Sequence, residues 1–197
     1  MKTGLYFGSF NPVHIGHLAI ANYLVEFTPL ERIWFVVSPQ NPLKSKRTLL
    51  TGYDRFNMVE IAIANDNYRF SASDIEFRLP VPSYTIDTVT WLKERNPSEK
   101  FSLIMGEDNL YTLHKWKNAE RLAELCDMYV YPRPHVSKPT DPELDRILQK
   151  AKVNFIKAPL MEISGTFIRK SIMAGKDVRH FLPPGVWDYI TREGLYK

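Results

Sequence analysis

The chain has 197 residues, 44% hydrophobic and 24% charged, with a net charge of +4 from 26 basic and 22 acidic side chains. This is an ordinary globular balance on a chain long enough to bury a core as one unit, residues 1–197. The basic excess is too small to argue for nucleic acid, the single Cys126 excludes an internal disulfide or a CxxC zinc pair, and the longest strongly apolar run, residues 33–37, is too short to span a membrane.

Leu5-Tyr6-Phe7 reads as a first buried strand, closed by Gly8. A turn rich in Gly, Ser, Asn and Pro follows, and then a helix over residues 14–27. Residues 33–37 predict a second strand, and 38–51 a loop carrying Lys44, Lys46 and Arg47. Thr51 with Asp54 marks the start of a helix to about residue 65, a partial capping box. A strand is expected over 69–77, a break at 80–83, a helix over 85–94 and a strand over 101–105 ending at Gly106. A helix over 118–126, a strand over 128–131, an Asp141-capped helix over 142–150 and a strand over 153–156 come next. Two helices, 164–174 and 184–192, close the order as a helical C-terminal segment. This alternation predicts an α/β fold with a mostly parallel sheet and helices on both faces. Such sheets bind ligands beyond the carboxyl ends of their strands, which directs attention to the loop after Gly8.

That loop reads Gly8-Ser9-Phe10-Asn11-Pro12-Val13-His14-Ile15-Gly16-His17. Gly8 lets the backbone turn close to a ligand, and Asn11 or its successors can cap the helix. His14 and His17, three apart, fall on one helix face beside amides that attract an anion. Each ring can donate a hydrogen bond to phosphate, and a protonated ring adds charge. Gly16 clears space between them. Two surface histidines would show the same spacing, and a metal pair would need a third ligand that His114, His135 and His180 do not supply, so no metal-binding residue is expected. The dinucleotide fingerprint and the Walker A loop are absent. A second constellation, Ile163-Ser164-Gly165-Thr166-Phe167-Ile168-Arg169, opens a helix with Ser164 as its cap.

These two segments resemble the HxGH and ISSTxIR motifs of the nucleotidylyltransferase superfamily. The resemblance implies a Rossmann-like fold and transfer of a nucleotidyl group from a nucleoside triphosphate. Gly165 departs from the pattern, as does Asn11, where Asp is usual. Further matches lie at Pro39 to Lys44, at Ser83-Tyr84-Thr85-Ile86-Asp87-Thr88, at Gly106-Glu107-Asp108 followed by Trp116, and at Gly194-Leu195-Tyr196. With them nearly the whole chain resembles the nicotinate-nucleotide adenylyltransferase family.

That resemblance implies ATP with Mg2+ and nicotinate mononucleotide as small-molecule substrates. It assigns His14, His17 and Arg169 to catalysis. Gly8, Ser9, Phe10, Gly16, Lys44, Gly106, Asp108, Ile163, Ser164 and Thr166 would contact ATP, and Tyr84, Thr85 and Trp116 the nicotinate nucleotide. The enzyme would be cytoplasmic, without nucleic-acid or membrane partners, and its oligomeric state stays open. Gly8-Ser9-Phe10 is closer to phosphopantetheine adenylyltransferases, which with nicotinamide-mononucleotide adenylyltransferases form the alternative. A non-catalytic nucleotide-binding regulator is the alternative of a different class.

Overall fold

The computed structural model describes residues 1–39, 49–66 and 68–197. Its framework is a six-stranded, wholly parallel sheet: β1 (Lys2–Gly8), β2 (Arg32–Val37), β3 (Phe70–Ser73), β4 (Lys100–Gly106), β5 (Asp127–Tyr131) and β6 (Val153–Phe155). The spatial order is β3-β2-β1-β4-β5-β6. Chain progression therefore reverses between β1 and β4, where Tyr6 lies beside Ile104. That reversal is a topological switch point, the crevice where open parallel sheets bind ligands.

Alternation along the strands feeds two cores. On one face Tyr6, Ile33, Phe35, Val37, Ile104 and Tyr129 pack under α1 (Ile15–Phe27), α2 (Gly52–Ile63), α7 (Gly165–Met173) and α8 (Val186–Arg192). On the other, Leu5, Val36, Leu103, Met105, Met128 and Val130 pack under α3 (Thr85–Arg95), α5 (Ala119–Leu125) and α6 (Pro142–Lys150). Burial on both faces explains why the strands read as continuous apolar runs.

Local signals set most boundaries. Thr51 caps α2 by accepting from the Asp54 amide, and Asp141 caps α6 by accepting from Glu143 and Leu144. One expectation needs correction. The strand expected over 69–77 stops at Ser73, and a 3-10 turn, Ile75–Arg78, follows. Ile75 and Glu76 are buried by that turn, so its apolar residues serve packing without strand pairing. A short helix, α4 (Glu107–Leu110), and a 3-10 turn, Leu113–Lys115, also fill the stretch after β4. No helix among the described residues is long and apolar enough to cross a membrane.

Candidate active site

The turn after β1 is shaped by apolar packing before any ligand is considered. A Cβ on Gly8 would lie 2.8 Å from the Phe10 ring. Gly8 thus makes room for Phe10, which is buried against Tyr6 and Phe35. Phe10 itself has φ +43°, a left-handed conformation that is costly for a side chain this bulky and must be held by its surroundings.

His14, not Asn11, is the N-cap of α1. Its amide donates to Nδ1 of His17 at 3.2 Å, and the two imidazoles lie against each other with centroids 3.8 Å apart and planes tilted by 31°. Gly16 permits this pairing, because a Cβ there would meet the His14 ring at 3.0 Å. The glycine of the HxGH segment is therefore there for the histidine. Burial, with Arg133 nearby, lowers the pKa of His14 to about 4. It is neutral near pH 7, so it adds no charge there but can donate through one ring nitrogen.

Arg169 comes to the turn from α7. Its Nη1 donates to the main-chain oxygen of Asn11 at 2.7 Å, and its Nη2 to the Thr166 hydroxyl at 3.3 Å. Ser164 caps α7 by accepting from the Phe167 amide, and Ile163 packs half-buried against the core. A Cβ on Gly165 would come within 2.8 Å of that same Asn11 oxygen. This departure from the motif thus allows close approach of α7 to the turn.

At the end of β4, Gly106 leaves space that the Asp108 carboxylate, Arg133 and Tyr131 share. Arg133 lies 3.6 Å from Asp108, donates to the Tyr131 hydroxyl at 2.8 Å, and through its amide donates to Glu107. Arg133 follows directly on β5 in the segment Pro132-Arg133-Pro134, which carries no motif. The signal that could have found Arg133 is its place just past a strand that neighbours the switch point.

A second polar cluster is built at the start of α3. Tyr84 is its N-cap, with no side-chain hydrogen bond to the first turn, and Thr85 begins the helix. Ser83 does not cap. It is buried and donates to Glu76 at 3.1 Å, as Thr88 does at 2.9 Å. Glu76 also accepts from the Ser38 hydroxyl, and burial raises its pKa despite these three donors. Lys117 lies over the Tyr84 ring at 4.7 Å and pairs with Asp87 at 2.9 Å, which brings the Trp116 turn to the start of α3. Trp116 is half-buried, and its Nε1 is a buried donor without a partner among the described residues.

The two sides are joined by Arg55, a fully buried arginine of α2. Its guanidinium donates to four main-chain oxygens: Ser9 and Ser38 at 2.7 Å, Pro39 at 2.9 Å and Leu50 at 3.1 Å. Ser38 in turn reaches Glu76, so a polar chain runs from the turn after β1 to Ser83. Neither Arg55 nor Glu76 was found from sequence, since each reads as an ordinary surface charge. Lys44 lies outside the described residues. Among the described residues no group of three or more His, Cys, Asp or Glu could hold a metal ion.

A histidine pair at a helix start beside the switch point, with an arginine from a second helix seated on the same turn, is an arrangement suited to holding phosphate. Comparisons agree. The family model described as cytidylyltransferase-like matches residues 5–171. A Flavobacterium johnsoniae protein named "Probable nicotinate-nucleotide adenylyltransferase" is 53% identical over 197 residues, all of both chains. A Bacteroides fragilis protein of the same name is 44% identical, covering 98% of this chain and 92% of its own. The Plasmodium falciparum nicotinic acid mononucleotide adenylyltransferase, solved in complex with NaAD, superposes with a TM-score of 0.78 at 24% identity, covering 99% of this chain and 97% of its own. The chain belongs to the cytidylyltransferase-like family and, within it, to the nicotinate-nucleotide adenylyltransferases.

Proposed function

We propose that this enzyme transfers the adenylyl group of ATP to nicotinate mononucleotide, releasing pyrophosphate and deamido-NAD for NAD biosynthesis. The observation that carries this reading is the paired imidazoles of His14 and His17 at the start of α1, met by Arg169 across the turn. The nucleotide's 5′-phosphate attacks the α-phosphorus in line. One P–O bond forms there and the bond to the β-phosphate oxygen breaks. The attacking group is already an oxyanion, so no protein base is needed, and catalysis rests on position and charge.

In this reading His17 and His14 donate to the α-phosphate as charge develops on it. Arg169, with Ser164 and Thr166 at the start of α7, holds the departing pyrophosphate. Gly8, Ser9, Phe10, Gly16 and Ile163 shape the phosphate cradle through main chain and packing. Gly106 and Asp108 face the adenosine ribose, beside Arg133. The first-turn amides of α3 at Tyr84 and Thr85 take the nicotinate carboxylate, with Trp116 flanking the ring. Lys44, outside the described residues, is assigned to ATP by its motif alone.

Magnesium would arrive bound to ATP, so the protein need supply few of its ligands. Asp108, whose side chain is half exposed, is the carboxylate that suits a contact to the ion through water. When bound, the ion neutralises phosphate charge. The substrates are small molecules, without nucleic-acid or membrane partners. Buried Cys126, whose pKa is pushed up to about 11, suits the reducing cytoplasm.

The test is pyrophosphate release from magnesium ATP with nicotinate mononucleotide, nicotinamide mononucleotide, 4′-phosphopantetheine or no acceptor. Turnover is expected to be highest with nicotinate mononucleotide. Preference for phosphopantetheine would overturn the acceptor site, and silence with all acceptors would overturn the enzyme in favour of a nucleotide-binding regulator.

A further inference from the structure

The phosphate turn is held from a direction that the motifs do not indicate. After α8 the chain reverses: the Leu195 amide donates to Ile190 and the Gly194 amide to Thr191, with Gly194 at φ +64° and Tyr196 at φ +63°. This reversal sends the Tyr196 side chain back toward residue 11, where its hydroxyl donates to Oδ1 of Asn11 at 2.7 Å. The Leu50 amide reaches the same oxygen at a longer 3.5 Å. Tyr196 is half-buried, and the charges of both Arg169 and Arg55 reach its hydroxyl.

Asn11 is consequently a joint. Its side chain is held by Tyr196, while its main-chain oxygen receives Arg169 and lies where α7 comes closest at Gly165. It follows directly on Phe10, whose left-handed backbone persists only while neighbouring contacts over-determine it. A turn under such constraint, carrying the seat of a phosphate-binding arginine, moves that arginine when a holding contact is lost.

We propose that Tyr196 is a positioning residue for the triphosphate side of the site: its hydroxyl, through Asn11, fixes the carbonyl on which Arg169 is seated. Tyr196 touches no reacting atom. It governs how well Arg169 is placed for ATP and the leaving pyrophosphate, and leaves the acceptor side on α3 unaffected. The inference rests on the phosphate-binding assignment of Arg169 and goes beyond it by naming what sets that arginine.

Tyr196→Phe keeps the ring and removes only the donor. Its kcat/KM for ATP is expected to fall about tenfold, as for loss of one hydrogen bond of about 1.4 kcal/mol. KM for the acceptor should be unchanged, and Tm should move by no more than about 4 °C. Binding of a non-hydrolysable ATP analogue should weaken in parallel, a readout that does not depend on which acceptor is used. Asn11→Ala supplies the second arm, because Tyr196→Phe should add little to a chain already lacking the acceptor. Wild-type ATP kinetics and analogue binding in Tyr196→Phe would overturn the proposal. So would equal losses toward ATP and the acceptor, or effects of the two substitutions that simply add. Silence of the wild-type enzyme with every acceptor, while analogue binding still responds to Tyr196→Phe, would overturn the reaction assigned above and support the positioning role.

Discussion

Around His14 and His17 the polar contacts run from arginines to main-chain oxygens, whereas around Ser83 and Thr88 they run from hydroxyls to the carboxylate of Glu76. Arg169 and Arg55 are engaged by carbonyls, which carry no net charge, so their positive charge persists at the turn. That suits a polyanion with several phosphates. On the other side the charge of Glu76 is spent on three hydroxyls, and its effect is to fix the start of α3. One region keeps its charge for a ligand; the other consumes it in building a rigid frame.

The comparison breaks most visibly at its centre. His17→Ala should lower kcat by about 100- to 1,000-fold with the fold retained, as for loss of an electrostatic donor at a reacting phosphate. Steady-state kinetics beside circular dichroism would check this. Next in size is Arg55→Met, which keeps the aliphatic stem and abandons four oxygens. An unfolding free energy lower by about 3 kcal/mol is expected in urea titration, the cost of stranding buried polar groups.

His14 gives a pH signature. Its folded pKa of about 4 lies below the ordinary 6.5, so the unfolded chain binds a proton that the folded one refuses. The stability it contributes is complete above pH 6.5 and is lost as pH falls toward 4. At pH 5 the loss should be about 2 kcal/mol relative to a His14→Gln chain, read by denaturant unfolding across that range. The smallest effect is on the framed side. Glu76→Gln should raise the acceptor KM about tenfold while leaving the KM for ATP near its original value, since Ser83 and Thr88 lose a charged partner far from the triphosphate. A matched rise in both would merge the two regions into one.

Most elements were legible because local chemistry and burial agreed. The helix over 142–150 is capped by Asp141 as expected, and the buried strands show as unbroken apolar runs. Residues 75–77 misled because burial in a 3-10 turn and burial in a strand leave the same apolar trace. At the site, His14, His17 and Arg169 could be placed because short motifs fix them beside helix starts. The reasons for Gly8, Gly16 and Gly165 could not be read, since each clears space for a group whose position depends on tertiary packing: Phe10, His14 and the Asn11 carbonyl. Arg55 and Glu76 were hidden for the same reason, as was the role of Tyr196. Their partners lie 46, 12 and 185 positions away along the chain for Ser9, Thr88 and Asn11, and only the folded sheet brings them together.

The four acceptors of Arg55 are all peptide oxygens, and this has a consequence for how the protein can vary. A clamp on peptide oxygens is indifferent to side-chain identity, so Ser9, Pro39 and Leu50 can drift or be exchanged by design while the spacing of their loops is retained. The arginine itself has no such latitude. Lysine offers a single point charge in place of a planar fork, and cannot serve four oxygens from one rigid group. Loop-grafting between relatives should therefore succeed around this residue and fail through it.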